Sequence, residues 1–124
     1  MQTGPGDTTL SPTTNEISGN TNGIQGFGNS SLDLRGGVSV TGSIFHGVVV
    51  EGGSRLRTDG STISGNGAAG VSVIRAGSAE FIGAANVVSG NAFGLFCNDG
   101  ESSHSGNVAG IMGNTSGQVS CTGF

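Results

Sequence analysis

The 124-residue sequence predicts an all-β solenoid built from stacked parallel coils. Three observations predict this fold class: a recurring motif, an alternation of apolar residues after it, and a composition with 26 glycines and no Trp or Tyr. The motif is an aliphatic residue or His, then Ser or Thr, Gly and a polar residue, followed by a second glycine, called here the repeat glycine, and an aliphatic residue. The repeat glycines are Gly23, Gly47, Gly70, Gly94 and Gly110. Their period of about 23 residues, with a shorter last interval, is typical of a solenoid, in which each coil buries only a thin column of side chains.

The first predicted strand follows each repeat glycine. Residues one and three positions later are mostly apolar and the residue between them varies, which is the period-two pattern of a strand with one buried face. The inward pairs are Ile24 and Gly26, Val48 and Val50, Val71 and Val73, Leu95 and Cys97, and Ile111 and Gly113. The outward column between them contains Gln25, Val49, Ser72, Phe96 and Met112.

A second and a third strand complete the predicted coil. Nine and eleven positions after the repeat glycine, inward pairs recur in every coil except the fourth, which is expected to lack this strand. These pairs are Leu32 and Leu34, Leu56 and Thr58, Ala79 and Phe81, and Val119 and Cys121. Residues 38–40, 61–63 and 86–88 predict the third strand. We therefore expect about five coils of about 23 residues, with three short strands in each coil and a rise of about 4.8 Å per coil.

The domain organisation follows from composition. Residues 1–14 are rich in Thr, Pro and Gly and are predicted to be a linker or an N-terminal cap, and residues 15–124 are predicted to form the coils. The N-terminus has neither the charged nor the apolar region of a signal peptide, so we expect no signal peptide in this chain. We expect the chain to be a fragment of a longer protein.

Charge excludes some partners and explains several side chains. The net charge is −4 and the sequence has no Lys, so it lacks the basic stripe that a nucleic-acid partner requires. No apolar run is long enough to insert into a membrane. Charges of opposite sign alternate in two predicted outward columns of the second strand, which indicates surface ion pairs. The first column contains Asp33, Arg57 and Glu80, and the second contains Arg35 and Asp59.

The motif Ile-Ser-Gly-Asn-x-x-x-Gly-Val resembles the repeat of right-handed parallel β-helix proteins, the pectate-lyase-like superfamily, over residues 15–124. The resemblance implies a right-handed coil, a polysaccharide partner, and an extracellular or cell-surface location. It also makes the outward column of the first strand the expected glycan-binding face. The column has no carboxylate, Tyr or Trp, and the alternative for its apolar residues Phe96 and Met112 is burial against another segment or subunit. Because this superfamily contains lyases, hydrolases, epimerases, phage fibres and adhesins, the resemblance predicts the fold better than the activity.

A second candidate site lies in the turn after the fourth first strand. Asp99 and Glu101 are neighbouring acids there, and Arg75 holds the matching position one coil earlier. Such a group could bind calcium or a sugar acid, and the alternative is an ordinary Asx turn with an ion pair between coils. The sequence contains no motif of a metal site, and the residues assign no catalytic group. His46 lies in a turn, and His104 replaces an apolar residue of the motif.

The remaining polar and sulfur residues are predicted to be structural. A column of stacked amides in the Ser-Gly-Asn turns is predicted for Asn20, Asn66, Asn91 and Asn107. Cys97 and Cys121 fall in inward columns of adjacent coils, where a disulfide would close the C-terminal end of the core. The alternative is two buried thiols.

These features favour a non-catalytic scaffold or binding module of a surface, secreted or phage-associated protein, with glycans bound along the first-strand face. One alternative is the C-terminal part of a polysaccharide lyase, hydrolase or epimerase. Another is a self-assembling structural or filament subunit, in which copies stack end to end or face to face.

Overall fold

The protein is a parallel β-solenoid of about five turns, seen in a computed structural model that describes residues 1–10 and 15–121. Within these two ranges all named strand pairs are parallel and there is no helix. The described residues therefore contain no helix that is long and apolar enough to cross a membrane. Positions 11–14 of the predicted linker or cap and positions 122–124 of the predicted coils lie outside the described residues.

Fifteen short strands make up the described part of the chain. In chain order they are β1 (Gln2–Thr3), β2 (Gly6–Leu10), β3 (Asn15–Ser18), β4 (Ile24–Gly26), β5 (Ser30–Arg35), β6 (Val38–Thr41), β7 (Val48–Glu51), β8 (Arg55–Asp59), β9 (Thr62–Ser64), β10 (Ala69–Ile74), β11 (Ser78–Ile82), β12 (Val87–Ser89), β13 (Phe93–Cys97), β14 (Ser103–Gly106) and β15 (Gly117–Ser120).

The strands form three parallel sheets, one for each side of the coil. The first sheet has the order β1-β4-β7-β10-β13-β15, the second β14-β11-β8-β5-β2, and the third β12-β9-β6-β3. This arrangement confirms the predicted fold class with three strands per coil. Residues 1–10 contribute β1 and β2, which pair with β4 and β5 and add a row to two of the sheets.

The core is one continuous column of apolar side chains between the sheets. Sheet pairing aligns Ile24, Val48, Val71 and Leu95 in the first sheet, and each of them is 0% exposed. The predicted columns of the other two sheets are equally buried: Leu32, Leu56 and Ala79 in the second, and Val40, Ile63 and Val88 in the third. Each fully buried Val, Leu or Ile stabilises the fold by about 1.5–3 kcal/mol.

The polar inward residue Thr58 is accommodated by a buried amide. The Thr58 hydroxyl donates to Asn86 Oδ1 at 3.1 Å, and the Nδ2 group of Asn86 donates to the carbonyl oxygens of Thr58 and Ile82 at 3.1 and 2.9 Å. Asn86 Oδ1 also accepts from the backbone N–H of Ser61 at 3.2 Å. Because each of these groups has a partner, the amide closes the corner between the second and third sheets without an unpaired buried polar atom.

Two glycine columns have two different physical causes. Turn glycines such as Gly65 and Gly90 have φ of +64° and +68°, a left-handed conformation that side chains with a Cβ rarely adopt. The repeat glycines have no such φ, and crowding explains them instead. A Cβ on Gly70 would lie 2.8 Å from Asn91 Nδ2, and one on Gly47 would lie 2.8 Å from Asn66 Nδ2.

The last coil takes a register that differs from the predicted one. Ile111 forms a parallel bridge with Val88 of the third sheet, whereas Val119 of β15 lies opposite Leu95 in the first sheet. Residues 111–114, with the sequence Ile-Met-Gly-Asn, therefore take the place of the motif and stack on Val-Ser-Gly-Asn at residues 88–91. The prediction that Ile111 begins a first strand and that Val119 lies in a second strand was wrong.

The motif-like segment at residues 104–107 belongs to the second sheet. Strand β14 pairs with β11 and places His104 opposite Ala79, so the prediction that the fourth coil lacks a second strand was also wrong. The reason is length: the interval from Gly94 to Gly110 is too short for three strands and three turns, and the coil closes only at residues 111–114. Asn107 and Met112 consequently lie outside the columns predicted for them.

Candidate functional site

The outward face of the first sheet brings together most of the predicted ligand-binding column. Strand pairing aligns Gln25, Val49, Ser72 and Phe96 across four coils, as the sequence indicates. The structure corrects the end of this column, where Ser120 lies opposite Phe96. Met112 follows Ile111 beside the third sheet and is 59% exposed. At the other end of the column, Gln2 of β1 lies opposite Gln25.

Hydrogen bonds connect the polar side chains of this face from coil to coil. Gln2 Nε2 donates to Gln25 Oε1 at 3.4 Å, and Gln25 Nε2 donates to Glu51 Oε1 at 2.9 Å. Glu51 also forms an ion pair with Arg75 at 3.5 Å. The carboxylate on this face is therefore held by an amide and a guanidinium.

The middle of the column is covered, although it points away from the core. Val49 is 5% exposed and Ser72 is 3% exposed, so neither offers much surface to a ligand. Phe96 is half-buried and packs against Phe93, with ring centroids 5.2 Å apart and planes tilted by 49°. Of the four aligned residues, Gln25 and Phe96 are thus the ones available to a ligand, three coils or about 14 Å apart.

The turn at Asp99 is an Asx-type turn that also bonds to the coil below. Asp99 Oδ1 accepts from the N–H groups of Glu101 and Ser102 and from the Ser102 hydroxyl, at 3.1, 2.9 and 2.8 Å. Asp99 Oδ2 accepts from the backbone N–H of Arg75, which has a left-handed φ of +51°. The Ser102 hydroxyl and the Arg75 N–H hold the pKa of Asp99 below its ordinary value.

The charged groups of the Asp99 turn are mostly engaged within the chain or point away from one another. Both oxygens of Asp99 are used by donors of the chain, Glu101 is exposed, and the Arg75 guanidinium is drawn to Glu51 and not to Asp99. Among the residues whose side chains the structure describes, no group of three or more His, Cys, Asp or Glu is arranged to hold a metal ion.

A buried asparagine ladder closes the corner between the third and first sheets. Its members are Asn66, Asn91 and Asn114, which are at most 7% exposed. The N–H and Nδ2 groups of Asn66 donate to Asn91 Oδ1, both at 2.9 Å, and those of Asn91 donate to Asn114 Oδ1, both at 3.0 Å. Gln118 Oε1 accepts from Asn114 Nδ2 at 2.9 Å and ends the ladder.

Two of the asparagines predicted for this ladder lie outside it. Asn20 is exposed and donates to the carbonyl oxygen of Ser18 two residues earlier. Asn107 is also exposed and accepts from the N–H of Ala109. Ser43 occupies the ladder position below Asn66, and its buried hydroxyl has no partner among the described residues.

Charged side chains of the second sheet are largely paired. Asp33 and Arg57 are opposite each other in register, yet Asp33 bonds Arg35 at 3.2 Å and Arg57 bonds Glu80 at 3.1 Å. A notch of about 140 Å³ lies among these side chains, and it is also lined by Leu34, Asp59 and Ile82. Of the pairs that the two charge columns predict, Arg57–Glu80 is present, whereas Arg35 bonds Asp33 of its own strand and not Asp59.

The histidines and cysteines have structural surroundings. His46 Nδ1 accepts from the backbone N–H of Ala69 at 3.2 Å, and burial lowers the pKa of this imidazole. His104 has a buried Nδ1 with no partner among the described residues. Cys97 and Cys121 form a disulfide with a Cα–Cα distance of 4.6 Å, between β13 and the residue after β15.

Sequence reasoning missed several residues that fix the coil. Asn86 is one, and its only signal was the polar Thr58 in an apolar column. A buried hydroxyl chain is another: Ser30 donates to Ser54 Oγ at 3.1 Å, and Thr3 donates to Ser30 Oγ at 3.3 Å. The signal for that chain was a Ser two residues before the inward Leu in two successive coils, at Ser30 and Ser54.

Comparison of the chain with protein-family models, with curated proteins and with solved structures finds no match. The relation to pectate-lyase-like proteins stays a prediction from the repeat motif.

Proposed function

We propose that the chain is a rigid, non-catalytic solenoid module whose first-sheet face binds a carbohydrate chain. The observation that supports this most is Phe96, which lies on the same outward face as the amide of Gln25 and packs against the ring of Phe93. Aromatic rings provide flat apolar surface for a sugar ring, and a few placed polar groups fix the orientation of a ligand. An extended chain can contact both ends of a face about 14 Å long.

The engagement of the carboxylates favours a binding role over catalysis. Asp33, Glu80 and Glu51 each form an ion pair, and Asp99 accepts four hydrogen bonds in its turn. A polysaccharide lyase, hydrolase or epimerase uses carboxyl groups that are free to exchange a proton or to hold a cation. That enzyme, with this chain as its C-terminal part, is the rival function.

Two further features support a surface, secreted or phage-associated setting. The Cys97–Cys121 disulfide is typical of proteins that fold in an oxidising compartment. The Ser-Gly-Asn repeat supports a relation to the pectate-lyase-like superfamily, in which surface and secreted solenoids are common.

The test is a pull-down of the purified chain on a panel of insoluble polysaccharides. We expect retention on at least one of them, loss of retention in Phe96→Ala, and unchanged retention in the control Met112→Ala, whose side chain is exposed beside the third sheet. Circular dichroism of each variant checks the fold. Binding that persists in Phe96→Ala, or no retention on any member of the panel, contradicts the proposal.

Two measurements on the same samples separate the alternatives. Release of reducing ends or unsaturated products from the retained polysaccharide would favour the enzyme. Light scattering after size-exclusion chromatography would show a mass above that of one 12.1 kDa chain if the protein is a self-assembling subunit.

A further inference from the structure

The outward face of the third sheet carries a regular array of hydroxyl groups. Sheet pairing aligns one column of four across successive coils and a second column of two, located two residues earlier on the strands. The first column is Ser18, Thr41, Ser64 and Ser89, and the second is Ser39 and Thr62. These six residues are called the hydroxyl array below.

The hydroxyls of the array have no hydrogen-bond partner among the residues that the structure describes. In the part of the chain that the structure describes, none of the six side-chain hydroxyls forms a hydrogen bond, and all six residues are half-buried or exposed. Interior hydroxyls such as Ser30, Ser54 and Thr58 are by contrast bonded to other side chains. The donors and acceptors of the array are therefore left for a group outside the protein.

The array is spaced by the backbone. Neighbouring coils place hydroxyls about 4.8 Å apart, and the two columns are separated by about 6.6 Å along the strands. The turn glycines Gly42, Gly65 and Gly90 follow the first column directly, so no side chain rises beside it. The result is a flat, two-dimensional pattern about 14 Å long.

The face is also nearly neutral. Its charged outward residue is Glu16, at one edge of the array, and Val87 continues the column of Thr62 with an exposed apolar group. The second sheet presents ion pairs instead. A surface of regularly spaced, neutral groups that both donate and accept matches a partner whose own surface is a repeating lattice of donors and acceptors.

We propose that the third-sheet face binds ice. Water molecules on an ice surface each donate and accept hydrogen bonds, and they repeat at a distance close to the spacing of β-coils. A rigid row of hydroxyls at that spacing holds water in lattice positions without the ordering cost that a flexible surface would have. This activity uses a different face from the proposed carbohydrate site, and it stands or falls independently of that site.

The experiment measures thermal hysteresis and partition of the fluorescently labelled protein into a slowly growing ice hemisphere. We expect the unmodified chain to enter the ice and to shape its crystals. Ser64→Tyr should lose this affinity, because the ring stands in the middle of the array. The matched control is Ser78→Tyr, an equally half-buried, unbonded outward serine of the second sheet, which should retain it.

A variant that gains ice affinity tests the same proposal, because misfolding cannot explain a gain. Val87→Thr extends the second column to three hydroxyls and should increase the thermal hysteresis. Exclusion of the unmodified protein from ice, or equal ice affinity in Ser64→Tyr and Ser78→Tyr, overturns the proposal. Retention on a crystalline polysaccharide through this face, without ice affinity, overturns it as well.

Discussion

Two Gly-Asn turns close together in the chain show how differently the same dipeptide is used. Gly113-Asn114 is in register with Gly90-Asn91, and Asn114 is buried with its amide bonded on both sides. Gly106-Asn107 has the better match to the Ser-Gly-Asn motif, yet Asn107 is exposed at the end of a second-sheet strand. Position in the coil, and not the residue type, therefore decides which asparagine is structural.

The Cys97–Cys121 disulfide holds the last coil in the register that buries Asn114 and leaves Asn107 exposed. It closes a sequence separation of 24 residues, and the loss of unfolded-state entropy on closing such a loop corresponds to about 3.5 kcal/mol. We expect the double variant Cys97→Ala/Cys121→Ala to lower the free energy of unfolding in urea by about this amount. The control is the wild-type protein in reductant, which breaks the disulfide but keeps both cysteine side chains. An unchanged urea midpoint in both samples would contradict the prediction.

The two asparagines should differ sharply in mutational cost. Asn114→Ala removes the acceptor of two donors of Asn91, and each unpaired buried donor costs about 1–3 kcal/mol, so we expect a loss of at least about 2 kcal/mol in the free energy of unfolding. Asn107→Ala should change it by less than about 0.5 kcal/mol. The comparison fails if Asn107→Ala is the more destabilising of the two in urea unfolding.

The asparagine ladder can also be extended. Ser43 leaves a buried hydroxyl without a described partner at a position where the coil above has Asn66, and Gly23 and Gly47 flank the site as Gly47 and Gly70 flank Asn66. Ser43→Asn should let a new amide accept from the N–H of Asn20 and donate to Asn66 Oδ1, with a gain of about 1 kcal/mol. Thermal unfolding of Ser43→Asn beside Ser43→Ala measures it, and a lower melting temperature in Ser43→Asn would count against the ladder.

A smaller effect should appear on acidification at the same corner. Burial lowers the pKa of His46, so below pH about 6.5 the unfolded chain binds a proton more readily than the folded one, and stability decreases as the pH decreases. Protonation of Nδ1 would also remove the acceptor of the Ala69 N–H. Urea midpoints at pH 7.5 and 5.5 should differ in the wild type and differ less in His46→Gln, and an identical pH dependence in both would contradict this assignment.

Much of the fold could be predicted from the sequence, because the parallel coil repeats its own register. The columns at Leu32, Leu56 and Ala79 follow from counting alone, and so do the outward positions of Gln25 and Phe96. Handedness stays a prediction from the family resemblance and from the rule for parallel crossovers.

The register of the last coil and the partners of several polar side chains could not be predicted by counting residues. Residues 104–107 match the repeat motif in residue type, but the stretch from Gly94 to Gly110 is too short to close a coil. The contact of Thr58 with Asn86 spans 28 positions and depends on the length of the turn before β12. Asp33 pairs with Arg35 and not with Arg57, because Arg57 is already bonded to Glu80.

The most direct test of the coil register is side-chain amide exchange of the asparagines, measured by NMR on the oxidised protein. The Nδ2 protons of Asn66, Asn91 and Asn114 should exchange slowly, because each Nδ2 group donates to a side-chain oxygen and to a carbonyl oxygen inside the corner. Those of Asn20 and Asn107 should exchange at the rate of a solvated amide. Slow exchange at Asn107 together with fast exchange at Asn114 would contradict the register of the last coil and, with it, the account of this solenoid.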